Sequence, residues 1–186
     1  MHFRLPRVIF LHGNTAVGVC IKHKQKGYLH TTCEKCGEQL AQTRLLYPIE
    51  EKNYHADQYI RNEWNLLTCA LKDAAIITIF GYGAPSSDQS ALELMQNSWR
   101  NKQTELTEVI DIRRSSELRN IWTHFHFAPQ RFDIYKKFFK SWMACHPRRS
   151  VEAYTDQTIF AEFISNNPIV KQQTLEDVWE WFRELQ

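Results

Sequence analysis

Four residues in one short stretch have the types and spacing of a metal site. Cys20 and His23 are separated by two residues, as are Cys33 and Cys36, and nine residues lie between the pairs. Two ligands spaced this way can grip one ion from a tight knuckle, and two knuckles complete the tetrahedron that zinc takes in protein sites. Gly37, directly after Cys36, supplies the backbone freedom such a knuckle uses. His30 is also within reach, so the fourth ligand is either His23 or His30. The competing account is two unrelated thiol pairs in a basic loop. Four protein ligands close a site, so its role would be to fold the loop and not to catalyse. The chain has five cysteines, an odd number. Together with the Cys-x-x-Cys spacing this points to a reduced, cytoplasmic setting and a metal, not to a disulfide framework. Cys69 and Cys145 fall in helical patterns and read as core fillers.

The elements that must hold this loop are legible as alternating strands and helices. With 186 residues, 43% of them hydrophobic, and six Trp and eleven Phe, the chain can fill a core. A net charge of +2 predicts neither nucleic-acid steering nor an acidic tail. The longest apolar run, Ala74 to Phe80, is too short to span a bilayer, and the first residues lack the apolar core of a secretion signal. Val8-Ile9-Phe10-Leu11, stopped by Gly13, predicts a strand buried on both faces. Residues 14–42 form an excursion without period, and Leu45-Leu46-Tyr47 predicts a short strand. Ile60, Trp64, Leu67 and Leu71 share a helical face. Ala74–Phe80 is the clearest buried strand. After the Gly81–Pro85 turn, Ser86, Ser87 or Asp88 caps a helix with Leu92, Met95 and Trp99 on one face. A third strand is expected at Val109–Ile112. Beyond Arg114 the pattern turns helical, with faces at Tyr135/Phe138/Phe139/Trp142 and at Ile159/Phe160/Phe163/Ile164. A last helix opens at Thr174 with Asp177, with Leu175, Val178, Trp179, Phe182 and Leu185 facing inward.

The expected class is therefore α/β: a partial Rossmann-like parallel sheet with helices on its faces, a small zinc-binding insertion and a helical C-terminal part. Residues 1–186 are read as one domain, with 1–13 and 43–114 as the Rossmann-like half, 14–42 as the insertion and 115–186 as the extension.

A strand ending in His12-Gly13, a paired-cysteine loop, and a strand ending in Gly81-Tyr82-Gly83 resemble, in that order, the sirtuin family. The run Gly81-Tyr82-Gly83-Ala84-Pro85-Ser86-Ser87-Asp88 looks closer to the divergent sirtuin-like NAD-consuming domains of bacterial anti-phage defence than to protein deacylases. The resemblance covers roughly residues 8–112. It implies an NAD-binding domain with zinc, and an NAD glycohydrolase that releases nicotinamide. His12 then matches the family's catalytic histidine. An imidazole titrating at about pH 6.5 can take a proton from a ribose hydroxyl or a water. Gly13, Gly81 and Gly83 would let the backbone approach the dinucleotide, Asp88 would contact it, and Asp111 would hold a ribose hydroxyl. Each has a plainer account: His12 and the glycines as turn residues, Asp88 as a helix cap.

The pattern also departs from the family. No Gly-x-Gly phosphate loop precedes Val8, Gly83 stands where the family carries a hydroxyl, and Leu46–Glu50 lacks the Phe-Gly-Glu segment that grips an acyl-lysine peptide. The sheet is accordingly expected to be completed by another chain, a second copy or the C-terminal helices. The alternative function is a non-catalytic, zinc-stabilised interaction module. Nucleic acid is disfavoured as a partner, because Lys136, Lys137 and Lys140 interleave with aromatics at helical, core-like spacing.

Overall fold

The computed structural model describes residues 7–46, 57–99, 106–122, 132–147, 151, 168–169 and 174–184. They fall in two compact units: Met1–Leu71 with Pro85–Ser98, and Lys72–Ala84 with Trp99–Gln186.

In the first unit β1 (Val17–Val19) is the centre of an antiparallel sheet, flanked by β2 (Lys26–Tyr28) and β3 (Ala41–Gln42). Gly18 lies opposite both Gly27 and Gln42. The stretch without sequence period is thus a small sheet whose strands, two or three residues long, are too short to show alternation. Helix α1 (Gln58–Asp73) starts where Asp57 accepts the N–H groups of Tyr59 and Ile60, at 2.8 and 3.1 Å. It buries Tyr59, Ile60 and Trp64 against Ala91 of α2 (Gln89–Trp99), with Leu11, Val17, Val19 and Leu67 packed around them. A 3-10 turn, Ser86–Asp88, precedes α2 without a side-chain cap at its start.

The expected strand at Val8–Leu11 is not formed. Its backbone groups are taken by α1 instead: Phe10 N–H donates to Glu63 Oε2 at 3.0 Å, and Leu11 C=O accepts from Trp64 Nε1 at 3.1 Å. A turn bond from Gly13 N–H to Phe10 C=O closes the segment, and Val8 is 63% exposed. Leu45 and Leu46 likewise lie outside any strand, and Tyr47 lies outside the described residues.

The second unit carries a parallel sheet in the order β4 (Ile76–Phe80), β5 (Leu106–Ile110), β6 (Phe132–Tyr135). Ile76 pairs with Leu106, and Thr107 with Phe132. This makes the protein α/β, with α2 lying in the chain connection between β4 and β5. The buried strand is β5, all five residues of which are covered; β4 is half-buried, with Phe80 64% exposed. The helical face expected at Tyr135–Trp142 is corrected to β6, a 3-10 turn at Phe138–Lys140 and the short helix α4 (Trp142–Cys145). Glu108 explains the change. Its carboxylate, 0% exposed within β5, accepts from Thr78 Oγ1 at 2.7 Å and from the N–H groups of Trp142 and Met143 at 2.7 and 3.1 Å. A buried acceptor at the start of α4 fixes where that helix begins. Helix α3 (Ser115–Trp122) buries Leu118 and Trp122.

Helix α5 (Leu175–Glu184) opens on the expected capping box, with Thr174 N–H to Asp177 Oδ2 at 2.9 Å and Asp177 N–H to Thr174 Oγ1 at 3.2 Å. Three of the residues expected to face inward, Leu175, Val178 and Trp179, are instead 67%, 41% and 58% exposed, and the side chains of Phe182 and Leu185 lie outside the described residues. The helix expected at Ile159–Ile164 lies outside the described residues. Among the described residues, no helix is long and apolar enough to cross a membrane.

Candidate metal centre

Cys20 follows β1, and the chain turns back over Lys24 N–H to Cys20 C=O at 2.8 Å to enter β2. His23 N–H points at Cys20 Sγ, 3.3 Å away, the backbone-to-sulfur contact of a ligand knuckle. The second knuckle repeats the design: Gly37 N–H bonds Cys33 C=O at 2.8 Å, and Gly37 adopts φ +70°. Cys33 N–H to Glu38 C=O, at 2.8 Å, ties the loop ends, and Lys22 pairs with Glu38 on the surface.

The two knuckles bring Cys20, His23, Cys33 and Cys36 together, with all four donor atoms within 4.8 Å of one another. Cys20 Sγ lies 3.6 Å from Cys36 Sγ, and His23 Nδ1 lies 3.7 Å from Cys20 Sγ and 3.5 Å from Cys33 Sγ. Zinc bonds of about 2.3 Å to sulfur and about 2.0 Å to nitrogen, at tetrahedral angles, separate two sulfurs by about 3.8 Å and sulfur from nitrogen by about 3.5 Å. These three separations match those around one zinc ion, and three soft thiolates with one imidazole suit it. His30, exposed and at φ +71°, is not in the cluster. The imidazole that converges is His23.

Burial and hydrogen bonding divide the thiols. Burial works to raise the Cys33 thiol, but the N–H groups of Lys35 and Cys36, with Cys20 and His23, outweigh it and bring it down to about 6. At Cys36 the Glu38 N–H favours the thiolate, but burial and the neighbouring sulfurs of Cys20 and Cys33 push the thiol up. Crowded sulfurs cannot all ionise next to one another without a cation between them. Cys20 and Cys33 are 2% and 1% exposed, Cys36 is half-buried and His23 is exposed; four protein donors fill a tetrahedral coordination sphere, as in sites of the structural type.

The remaining expected site residues fall into both units. His12 is exposed in a turn, its C=O accepting from Leu46 N–H at 2.9 Å, and it ends no strand. Gly13 is required by the fold: at φ +87°, a Cβ there would come within 2.1 Å of Arg44 O. Asp88 is buried, at the junction of the 3-10 turn and α2. In the second unit Gly81, at φ +70° with open space beside it, and Gly83 form the turn leaving β4. Asp111 follows β5, but its carboxylate is engaged. Arg113 donates to it from Nη2 at 2.7 Å and from Nε at 3.2 Å, and reaches Gly83 O from Nη1 at 3.3 Å. That guanidinium holds the Asp111 carboxyl below its ordinary value.

Three partners escaped sequence reasoning: Glu63, Glu108 and Arg113. The first two had a signal, since Glu63 sits on the apolar stripe of α1 and Glu108 between Leu106 and Val109 in a β run. A carboxylate on an otherwise apolar face is buried with partners. Arg113 had none.

No family model matches the sequence, and no curated protein matches it. Among solved structures, a crystal structure of a Sir2 homolog in complex with NAD is similar to 69% of this chain, with a TM-score of 0.36 and 14% identity. The chain spans 45% of the length of that Sir2 homolog.

Proposed function

We propose that Cys20, His23, Cys33 and Cys36 hold one structural zinc ion, and that the chain is the zinc-stapled part of a sirtuin-like, NAD-binding fold. The convergence of four donors within 4.8 Å carries the first half of this reading. Support for the second half comes from the parallel sheet. Ligands of such sheets sit beyond the carboxyl ends of the strands, where β4 ends in Gly81 with open space beside it and β5 ends at Asp111. To reach a ribose, Asp111 must share its carboxylate with Arg113. Among the described residues β4 has no strand on its outer edge, and we assign that position to another protein chain or a second copy.

The activity to test is hydrolysis of NAD to nicotinamide and ADP-ribose, with His12 as the base that takes the proton from water. A second reading, a non-catalytic interaction module stabilised by zinc, is favoured by two observations: the pairing of Asp111 with Arg113, and the absence of a strand to present His12. Incubating the zinc-loaded chain with NAD separates them. Nicotinamide release that is lost in His12→Ala, with Asp111→Asn weakening NAD binding, supports the enzyme. No release and no NAD-dependent rise in melting temperature would leave the module reading.

A further inference from the structure

The apolar stripe of helix α5 is open to solvent. Leu175, Val178 and Trp179 follow one another at helical spacing on one face, and all three are exposed. The helix has only ten residues. A helix that short gains its stability by laying its apolar face on something else. Glu176 and Glu180, four residues apart and both exposed, line one flank of the stripe.

The same unit carries a surface of matching character beyond the ends of β4 and β6. Phe80, the last residue of β4, is exposed and meets Phe138 of the 3-10 turn, with ring centres 5.3 Å apart. Phe139, 39% exposed, stands edge-on to Phe138, also at 5.3 Å. The three rings make one continuous apolar surface. Lys137 precedes this turn and Lys140 ends it, and residues three apart in a 3-10 turn eclipse one another on one side. Both lysines are exposed, and among the described residues neither ammonium has an ion-pair partner.

Each surface supplies what the other lacks. The helix offers an apolar stripe flanked by carboxylates, and the turn offers apolar rings flanked by ammonium groups. Burial of the apolar area would drive their docking, while opposite charges at the rim fix its register and reject like-charged surfaces. Every copy of the chain carries both surfaces, so a two-fold pair satisfies both at once.

We propose that the chain forms a two-fold dimer in which α5 of each copy lays Leu175, Val178 and Trp179 on the partner's Phe80, Phe138 and Phe139. Glu176 and Glu180 then face the partner's Lys137 and Lys140. This docking rests on neither the zinc nor the NAD reading, and it is separate from strand pairing at the open edge of β4.

Two charge reversals test it by sedimentation of the full, zinc-loaded chain. One variant carries Lys137→Glu with Lys140→Glu, the other Glu176→Lys with Glu180→Lys. The unaltered chain should show a concentration-dependent equilibrium between monomer and dimer. Either variant alone sets like charges against each other at both contacts, and its dimer should be at least about tenfold weaker. Mixed together, the two variants should form a heterodimer at the concentrations where the unaltered chain dimerises, because each contact again joins opposite charges. A chain that stays monomeric would overturn the proposal, whether α5 then docks within its own chain or on a different protein. So would a dimer that both variants leave intact, or a mixture that stays monomeric. Should either variant fail to fold, nuclear Overhauser contacts between the Val178 methyls of an isotope-labelled copy and the Phe139 ring of an unlabelled one decide it on the unaltered chain, and their absence sinks it.

Discussion

The cysteine–histidine cluster of the first unit and the Asp111–Arg113 pair of the second are both polar constellations in loops after strands, yet they are in opposite electrostatic states. The four donors Cys20, His23, Cys33 and Cys36 point at one another, and among themselves their contacts are sulfur to sulfur and sulfur to imidazole, at 3.5–3.7 Å. The carboxylate of Asp111 is already matched by a guanidinium at 2.7 Å, and that guanidinium bonds the Gly83 carbonyl as well. A constellation that lacks its counter-charge calls for a ligand, whereas one that contains it is already a staple. The same contrast explains why spacing alone identified the first, while an acidic residue at a strand end was a weaker guide to the second.

The largest test of this contrast is removal of the ion. Chelation, or Cys33→Ser, should unfold the β1–β3 sheet, because the binding free energy of a structural zinc, about 10 kcal/mol or more, is then lost from folding. Circular dichroism and metal analysis before and after zinc is restored would check it. Retention of that sheet in metal-free protein would break the comparison, since the cluster would then need no cation.

An intermediate effect is expected in the second unit, which has its own buried charge. Glu108→Ala removes an acceptor from three donors at zero exposure and should cost about 3 kcal/mol in denaturant unfolding, with no change in zinc content. A loss under about 1 kcal/mol would mean that water replaces the carboxylate, and that the second unit is not held by satisfied polar groups.

The smallest effect concerns the Asp111–Arg113 pair, whose side chains are 12% and 28% exposed. Arg113→Met should cost about 1 kcal/mol or less at neutral pH, as screened pairs do. Because Arg113 holds the folded-state carboxyl low, the unfolded chain binds the Asp111 proton first as pH drops. Stability from this pair is therefore complete above the ordinary Asp value of about 3.9, and is lost as pH falls through the folded value. A pH series of melting temperatures on wild type and Arg113→Met should diverge above that point and converge in stronger acid.

Much of the fold was readable wherever one element supplied its own signal over several residues. The α1 face, the strand at 76–80 and the Thr174–Asp177 box are of this kind, each resting on periodicity or on one local hydrogen-bond exchange; the strand expected at Val109–Ile112 is met only at Val109 and Ile110, since β5 runs from Leu106 to Ile110. The failures share a cause. Val8–Leu11 has strand composition, but its backbone partners are Glu63 and Trp64, some fifty residues away. Tyr135–Trp142 has helical spacing, but β5 recruits its first part as β6, and Glu108 sets the start of α4. Inward packing of Leu175, Val178 and Trp179 was inferred from amphipathicity, which identifies an apolar face without identifying what covers it.

The sequence by itself determined the candidate donor types, their two-residue spacing and the alternation of apolar runs, because these depend on chain connectivity over a few residues. Only the tertiary structure decided that His23 and not His30 completes the cluster, that Asp111 is engaged by Arg113, and that the segment before Gly13 is clamped by a helix. Those outcomes turn on which groups meet in space. Backbone and charged groups take whatever partner the packed core brings within about 3 Å, and no local pattern encodes that choice.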